Sequence, residues 1–101
     1  MDTIVFTTKN DHRANFAVTQ QGKTIKARLY RTDIVEIDPA KKTVTLDSGG
    51  WRTATTKKRM NQVFTDFGLG IGVYQKAYDW FIQDASGQHI IFCDGITLSY
   101  E

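Results

Sequence analysis

The sequence predicts an α+β fold: a mostly antiparallel, twisted sheet with one amphipathic helix, over about residues 53–67, packed on one face. Three observations predict it. Runs that alternate apolar and polar residues are separated by short turn-forming clusters. One stretch carries a helical period, and strand-like runs lie on both sides of it. With 101 residues, 41% hydrophobic content and a single Pro, the chain is expected to be one domain, 1–101, with a modest core.

The elements follow in order. Ile4-Val5-Phe6-Thr7 and Asn15-Phe16-Ala17-Val18-Thr19 are strand candidates on either side of a polar turn, Lys9-Asn10-Asp11-His12. Gln20-Gln21-Gly22-Lys23 connects to a run that alternates from Thr24 to Tyr30, with Ile25, Ala27 and Leu29 on one face and Lys26, Arg28 and Tyr30 on the other. Asp33–Asp38, the turn Pro39-Ala40-Lys41-Lys42, and Thr43–Asp47 form a second hairpin, with Pro where a turn favours it. Ser48-Gly49-Gly50 breaks the sheet.

From Thr53 to Phe67 the apolar residues Met60, Val63, Phe64 and Phe67 recur at i, i+3, i+4 and i+7, one helical stripe, and Gly68 supplies the stop. Gly68, Gly70 and Gly72 imitate a phosphate-binding glycine pattern. A dinucleotide loop lies between a strand and the start of a helix, whereas this one follows a helix, so it reads as a connection. Val73–Lys76, Asp79–Gln83 and His89–Cys93 are the next strands, and Ile96–Tyr100 is a candidate last one.

Several function classes lack residues to support them. Cys93 is the only cysteine, so no internal disulfide or zinc framework is available, and it reads as a small core residue. His12 and His89 are far apart, without ligand-like neighbours, and read as surface or strand residues. No catalytic group, metal site or cofactor motif is expected. The start Met1-Asp2-Thr3 lacks a basic signal region and no run approaches the ~20 apolar residues of a membrane span, so no membrane partner is expected.

Charge is distributed unevenly. Residues 1–59 hold 12 Lys and Arg against 6 Asp and Glu, and residues 60–101 hold 1 against 5. The cations crowd Trp51-Arg52-Thr53-Ala54-Thr55-Thr56-Lys57-Lys58-Arg59, the start of the helix, where the positive dipole end ordinarily attracts acids. On a helical wheel Thr53 and Thr56 share the sector of the apolar stripe, Lys57 lies at its edge, and Lys58, Gln62 and Thr65 face away. Hydroxyls, backbone N–H groups and Lys57 could then converge on a phosphate. Alternatively, a threonine caps the helix and Lys57 pairs with Asp33 or Asp47. Trp51 beside Arg52 suits base stacking with a held phosphate, though a Trp near a strand end more often closes a core. Lys26, Arg28 and Tyr30 form a secondary basic face, though such a stripe is more often the plain solvent side of a one-sided sheet.

The run Ser48–Gln62, with Val73-Tyr74-Gln75-Lys76, Trp80-Phe81 and Asp94-Gly95-Ile96-Thr97-Leu98, resembles a family of small bacteriophage and viral-metagenome proteins over roughly residues 30–98. The first 25 or so residues fall outside that resemblance. It implies a phage genome and a bacterial host cytoplasm, and it brings no chemistry of its own. The leading expectation is a non-enzymatic accessory protein that binds nucleic acid or a nucleotide, such as a signal of host defence, through Trp51, Arg52, Thr55, Thr56, Lys57 and Arg59. One rival is a protein-binding inhibitor of a host defence or metabolic enzyme, of the anti-CRISPR kind. Its warrant is the acidic second half and the aromatics Tyr74, Tyr78 and Trp80. A virion or structural component is a third reading.

Overall fold

A computed structural model of the chain describes residues 16–100 together with a strand at residues 3–5. The order is β1 (Thr3–Val5), β2 (Phe16–Gln21), β3 (Thr24–Leu29), β4 (Thr32–Asp38), β5 (Thr43–Leu46), α1 (Ala54–Asp66), β6 (Gly72–Lys76), β7 (Asp79–Gln83), β8 (His89–Ile91) and β9 (Ile96–Ser99). The fold is α+β, as the periodicities predict. The proposed turn Lys9–His12, Phe6, Thr7, Asn15 and His12 lie outside the described residues.

Two sheets stand where the sequence suggests one. Strands β1 to β5 form an antiparallel meander, and β9 returns to pair antiparallel with β5, giving the order β1-β2-β3-β4-β5-β9. Strands β6, β7 and β8 pair only with one another. Both are antiparallel throughout. Alternation within a strand says which residues face inward but not which strand lies alongside, so it cannot separate one sheet from two.

The inward faces are those expected. Ala27 and Leu29 are buried and Ile25 half-buried, while Phe16 and Val18 on β2, and Val44 and Leu46 on β5, join the same core. Lys26 and Arg28 face out, and Tyr30 falls beyond the end of β3. One irregularity breaks the pattern: the β3–β4 register shifts between Ala27 and Arg28, so that Arg28 opposes Asp33 and Ala27 opposes Val35. Ile34 is the extra residue of a β-bulge, which lets two consecutive residues, Ile34 and Val35, both be buried.

Helix α1 packs on β3 and β4 of the large sheet and on β6 of the small one. Met60, Val63 and Phe64 are buried, and Thr56 joins them on the wheel sector assigned to it. Thr53 caps the start, its Oγ1 accepting the Thr56 N–H at 3.2 Å. At the other end the Leu69 N–H reaches Phe64 O and the Gly68 N–H reaches Thr65 O, a Schellman closure with Gly68 in the left-handed region. Asn61 fixes the helix to the small sheet. Its amide donates to Val73 O and accepts from Val73 N–H, both at 2.8 Å. Among the described residues no helix is long and apolar enough to cross a membrane.

Candidate functional site

The loop between β5 and α1 is held from both ends. Asp47 Oδ1 accepts the Gly49 N–H at 2.7 Å, and the Trp51 N–H donates to Ser48 O at 3.0 Å. Ser48 is buried, and both its N–H and its hydroxyl donate to Asp94 Oδ1 at 2.7 Å, tying the loop to the turn before β9. Gly49 has φ +63 and passes so close to Thr32 that an added Cβ would collide with the threonine hydroxyl. Only glycine satisfies both conditions there.

This loop and the β3–β4 turn border a groove of about 760 Å³. Leu29, Thr32 and Ile34 line it from β3 and β4, Thr53, Thr55 and Thr56 from the helix start, Tyr30 and Arg31 from the β3–β4 turn, and Ser48 and Trp51 from the loop before α1. The lining is mainly apolar. Trp51 is 70% exposed and Tyr30 65% exposed, which is unusual for side chains of this size on a groove that already contains core residues. Tyr30 also has φ +56, a conformation that side-chain-bearing residues adopt at a cost and that clusters at functional sites. The bulge contributes as well, since it turns Ile34 into the groove.

The sequence-predicted residues divide between this groove and the far side of the helix start. Trp51, Thr55 and Thr56 line the groove. The expectation that Trp51 closes the core is overturned by its exposure: with Ser48 anchored and two left-handed glycines ahead of it, the loop swings the indole outward. The Thr56 hydroxyl is already engaged with that of Thr53 at 3.2 Å.

Arg52 and Lys57 turn towards the small sheet. The Arg52 guanidinium lies 5.0 Å from the Phe92 ring centre and 5.9 Å from that of Trp80, and Lys57 Nζ lies 5.7 Å from Trp80. Lys57 also donates to Gln75 Oε1 at 3.1 Å. Neither carboxylate offered as its partner is used: Asp33 accepts from Arg28 Nε at 2.9 Å, and Asp47 holds Gly49. Arg59 lies over the Phe16 ring at 4.8 Å and donates to Gln62 Oε1 at 3.0 Å. Cations thus crowd this helix end without acids because aromatic faces receive three of them. We expect Lys57→Ala to lower stability by about 0.5–1 kcal/mol, the scale of an exposed cation–π contact. Urea unfolding of wild type and variant checks it.

On the outer face of the large sheet Lys26 sits 3.7 Å from Glu36 and Arg28 pairs with Asp33, so the basic stripe is neutralised by β4. The hydrogen bond and charge of Asp33 raise the Arg28 pKa further. Tyr30 leaves that face for the groove. Of the aromatics in the protein-binding reading, Trp80 is only 2% exposed, whereas Tyr78 stands in solvent and Tyr74 stacks on Phe81 at 5.6 Å. His89 is a strand residue bonded to the Tyr74 hydroxyl at 2.6 Å. Cys93 is exposed rather than part of the core, because the strand ends at Ile91 and Phe92 takes the inward position.

Arg31 and Thr32 were the residues that sequence reasoning passed over. They are the end of the two-residue turn and the start of β4, a stretch with no periodic signal, and only the approach of Thr32 to the Gly49 loop reveals it. No curated protein and no solved structure matches the chain. A family model described as Kyanoviridae Gp96 protein matches residues 1–99, so the likeness reaches into the first 25 residues that the resemblance left out. By that match over nearly its whole length, the chain belongs to the Kyanoviridae Gp96 protein family, a family of phage proteins.

Proposed function

We propose that this phage protein is a non-enzymatic accessory factor that binds a nucleotide or nucleic acid in the groove between Trp51, Tyr30 and the start of α1. The observation that carries the reading is the pair of large aromatic side chains left exposed on one apolar groove, with Arg31 beside them. Aromatic faces stack on bases irrespective of their identity, and a guanidinium can hold a phosphate in two parallel hydrogen bonds. The Ala54 and Thr55 amides lie in the first helical turn, where helix bonding supplies no acceptor, and the Thr55 hydroxyl is exposed beside them.

The residues assigned to the site are accordingly Trp51, Thr55 and Thr56 from the helix segment, with Tyr30 and Arg31 from the turn and Thr32 from the start of β4. Arg52, Lys57 and Arg59 support the scaffold instead. The protein-binding alternative is less well supported, because Trp80 lies in the core. The test is a titration of labelled single- and double-stranded DNA and RNA at two salt concentrations, with wild type and Trp51→Ala. Binding that weakens by about 1–3 kcal/mol in the variant is expected. Absence of binding by every probe at low salt, with a thermal-shift screen of free nucleotides also blank, would sink the proposal.

A further inference from the structure

We infer that the groove takes one nucleotide unit of a single strand, its base against Trp51 and Tyr30 and a single phosphodiester at Arg31, in preference to a nucleoside triphosphate or a duplex. This rests on the functional reading above and narrows its ligand class.

The charge at the groove decides between these ligands. Among the described residues Arg31 is the one basic side chain on its lining, exposed and without a hydrogen bond or ion pair there. Of the other cations of the helix start, Lys58 is exposed and does not line the groove, and the remaining three are committed elsewhere: Arg52 to Phe92 and Trp80, Lys57 to Trp80 and Gln75, Arg59 to Phe16 and Gln62. Recruiting them to a polyphosphate would strip the rings of those contacts. A phosphodiester carries one negative charge, which Arg31 matches. A triphosphate would leave most of its charge facing an apolar wall, a costly desolvation.

The aromatic pair excludes a duplex. Bases inside a double helix are already stacked and offer no free face to an indole, whereas single strands do. Duplex binding also draws on a track of phosphate contacts. The large sheet provides none, because Lys26 and Arg28 on its outer face are paired with Glu36 and Asp33. Size agrees: about 760 Å³ lies within the roughly 300–1,000 Å³ typical of small-ligand sites.

The experiment uses the intrinsic fluorescence of the full chain, in which Trp51 is exposed and Trp80 buried, so that stacking quenches Trp51. Four probes are titrated: thymidylyl-thymidine, a short oligothymidylate, ATP and a DNA hairpin closed by a non-nucleotide linker. The two single-stranded probes should bind, with ATP and the hairpin weaker by about tenfold, the step that 1.4 kcal/mol represents. For the oligothymidylate, log K against log salt should have a slope of about −0.7, one phosphate contact. Arg31→Ala should flatten that slope. Trp51→Ala, followed by anisotropy of labelled oligothymidylate, should weaken binding by about tenfold or more. Tighter binding of ATP or the hairpin, or a salt slope of about −2 or steeper, would overturn the inference and leave the broader nucleotide-binding reading standing. No response to any of the four probes, in fluorescence or anisotropy, would remove both.

Discussion

Replacing Trp80 by alanine is expected to destabilise the protein by about 3–5 kcal/mol, the usual cost of emptying an aromatic core site. Trp80 is 2% exposed, meets Phe92 edge-to-face at 5.4 Å, and carries both Arg52 and Lys57 over its ring. The substitution opens a cavity and also deprives two cations of the face they lie on. In a domain whose whole stability is of order 5–15 kcal/mol, such a loss is a large share of the total. Urea unfolding monitored by circular dichroism measures it, and Trp80→Phe, which keeps an aromatic face, should cost clearly less. A loss below about 1 kcal/mol in Trp80→Ala would mean that the small sheet does not close on the helix start as described.

Asp94→Ala should cost about 1–3 kcal/mol, because the N–H and hydroxyl of buried Ser48 both lose their acceptor. The same contact makes stability depend on pH. Burial pushes the Asp94 pKa up, but the backbone and side-chain hydrogen bonds from Ser48 and the charge of Arg52 outweigh it, and the net shift is downward. A carboxylate held below its unfolded pKa of about 3.9 contributes stability that is fully present above that value. The contribution disappears as pH falls through the lower, folded pKa. Stability should therefore decline on acidification below about pH 4, and Asp94→Asn should show less of that decline. Asp84 is also lowered, chiefly by the Ser86 hydroxyl, so acid sensitivity will not vanish altogether. The difference between wild-type and Asp94→Asn stability curves isolates the Asp94 part. Parallel curves across the acid range would contradict it.

Much of the fold could be read from residue spacing alone. Alternation placed Ile25, Ala27 and Leu29 inward, and the i, i+3, i+4 pattern found α1 to within a residue at either end, with Thr53 as its cap. These features depend on neighbours a few residues apart. The pairing of β9 with β5, the separation into two sheets and the bulge at Ile34 depend on distant chain segments, and no local pattern encodes them. The site was half legible. Composition revealed that cations gather at the helix start, but not which way their long stems turn. The rings of Trp80, Phe92 and Phe16 that receive them come from three separate strands or loops. Whether Trp51 and Trp80 lie outside or inside is left open by the sequence for a related reason. Parity with Ile82 puts Trp80 inside, while Trp51 follows a loop whose course is set by Asp94, far along the chain.

The helix has one more consequence, for how molecules of this protein meet one another. An unpaired strand edge is a template on which another chain can add a strand, and the outer edge of β6 is such a place. The Asn61 side chain occupies both main-chain groups of Val73 on that edge, and Lys57 grips Gln75 two residues further on. Alpha-helical side chains thus stand where a neighbour's backbone would have to bind. The opposite edge, β8, runs only from His89 to Ile91, too short to offer an incoming strand more than a few bonds. The small sheet, on whose outer face Ile91 is exposed, is thereby hindered from growing into an intermolecular one.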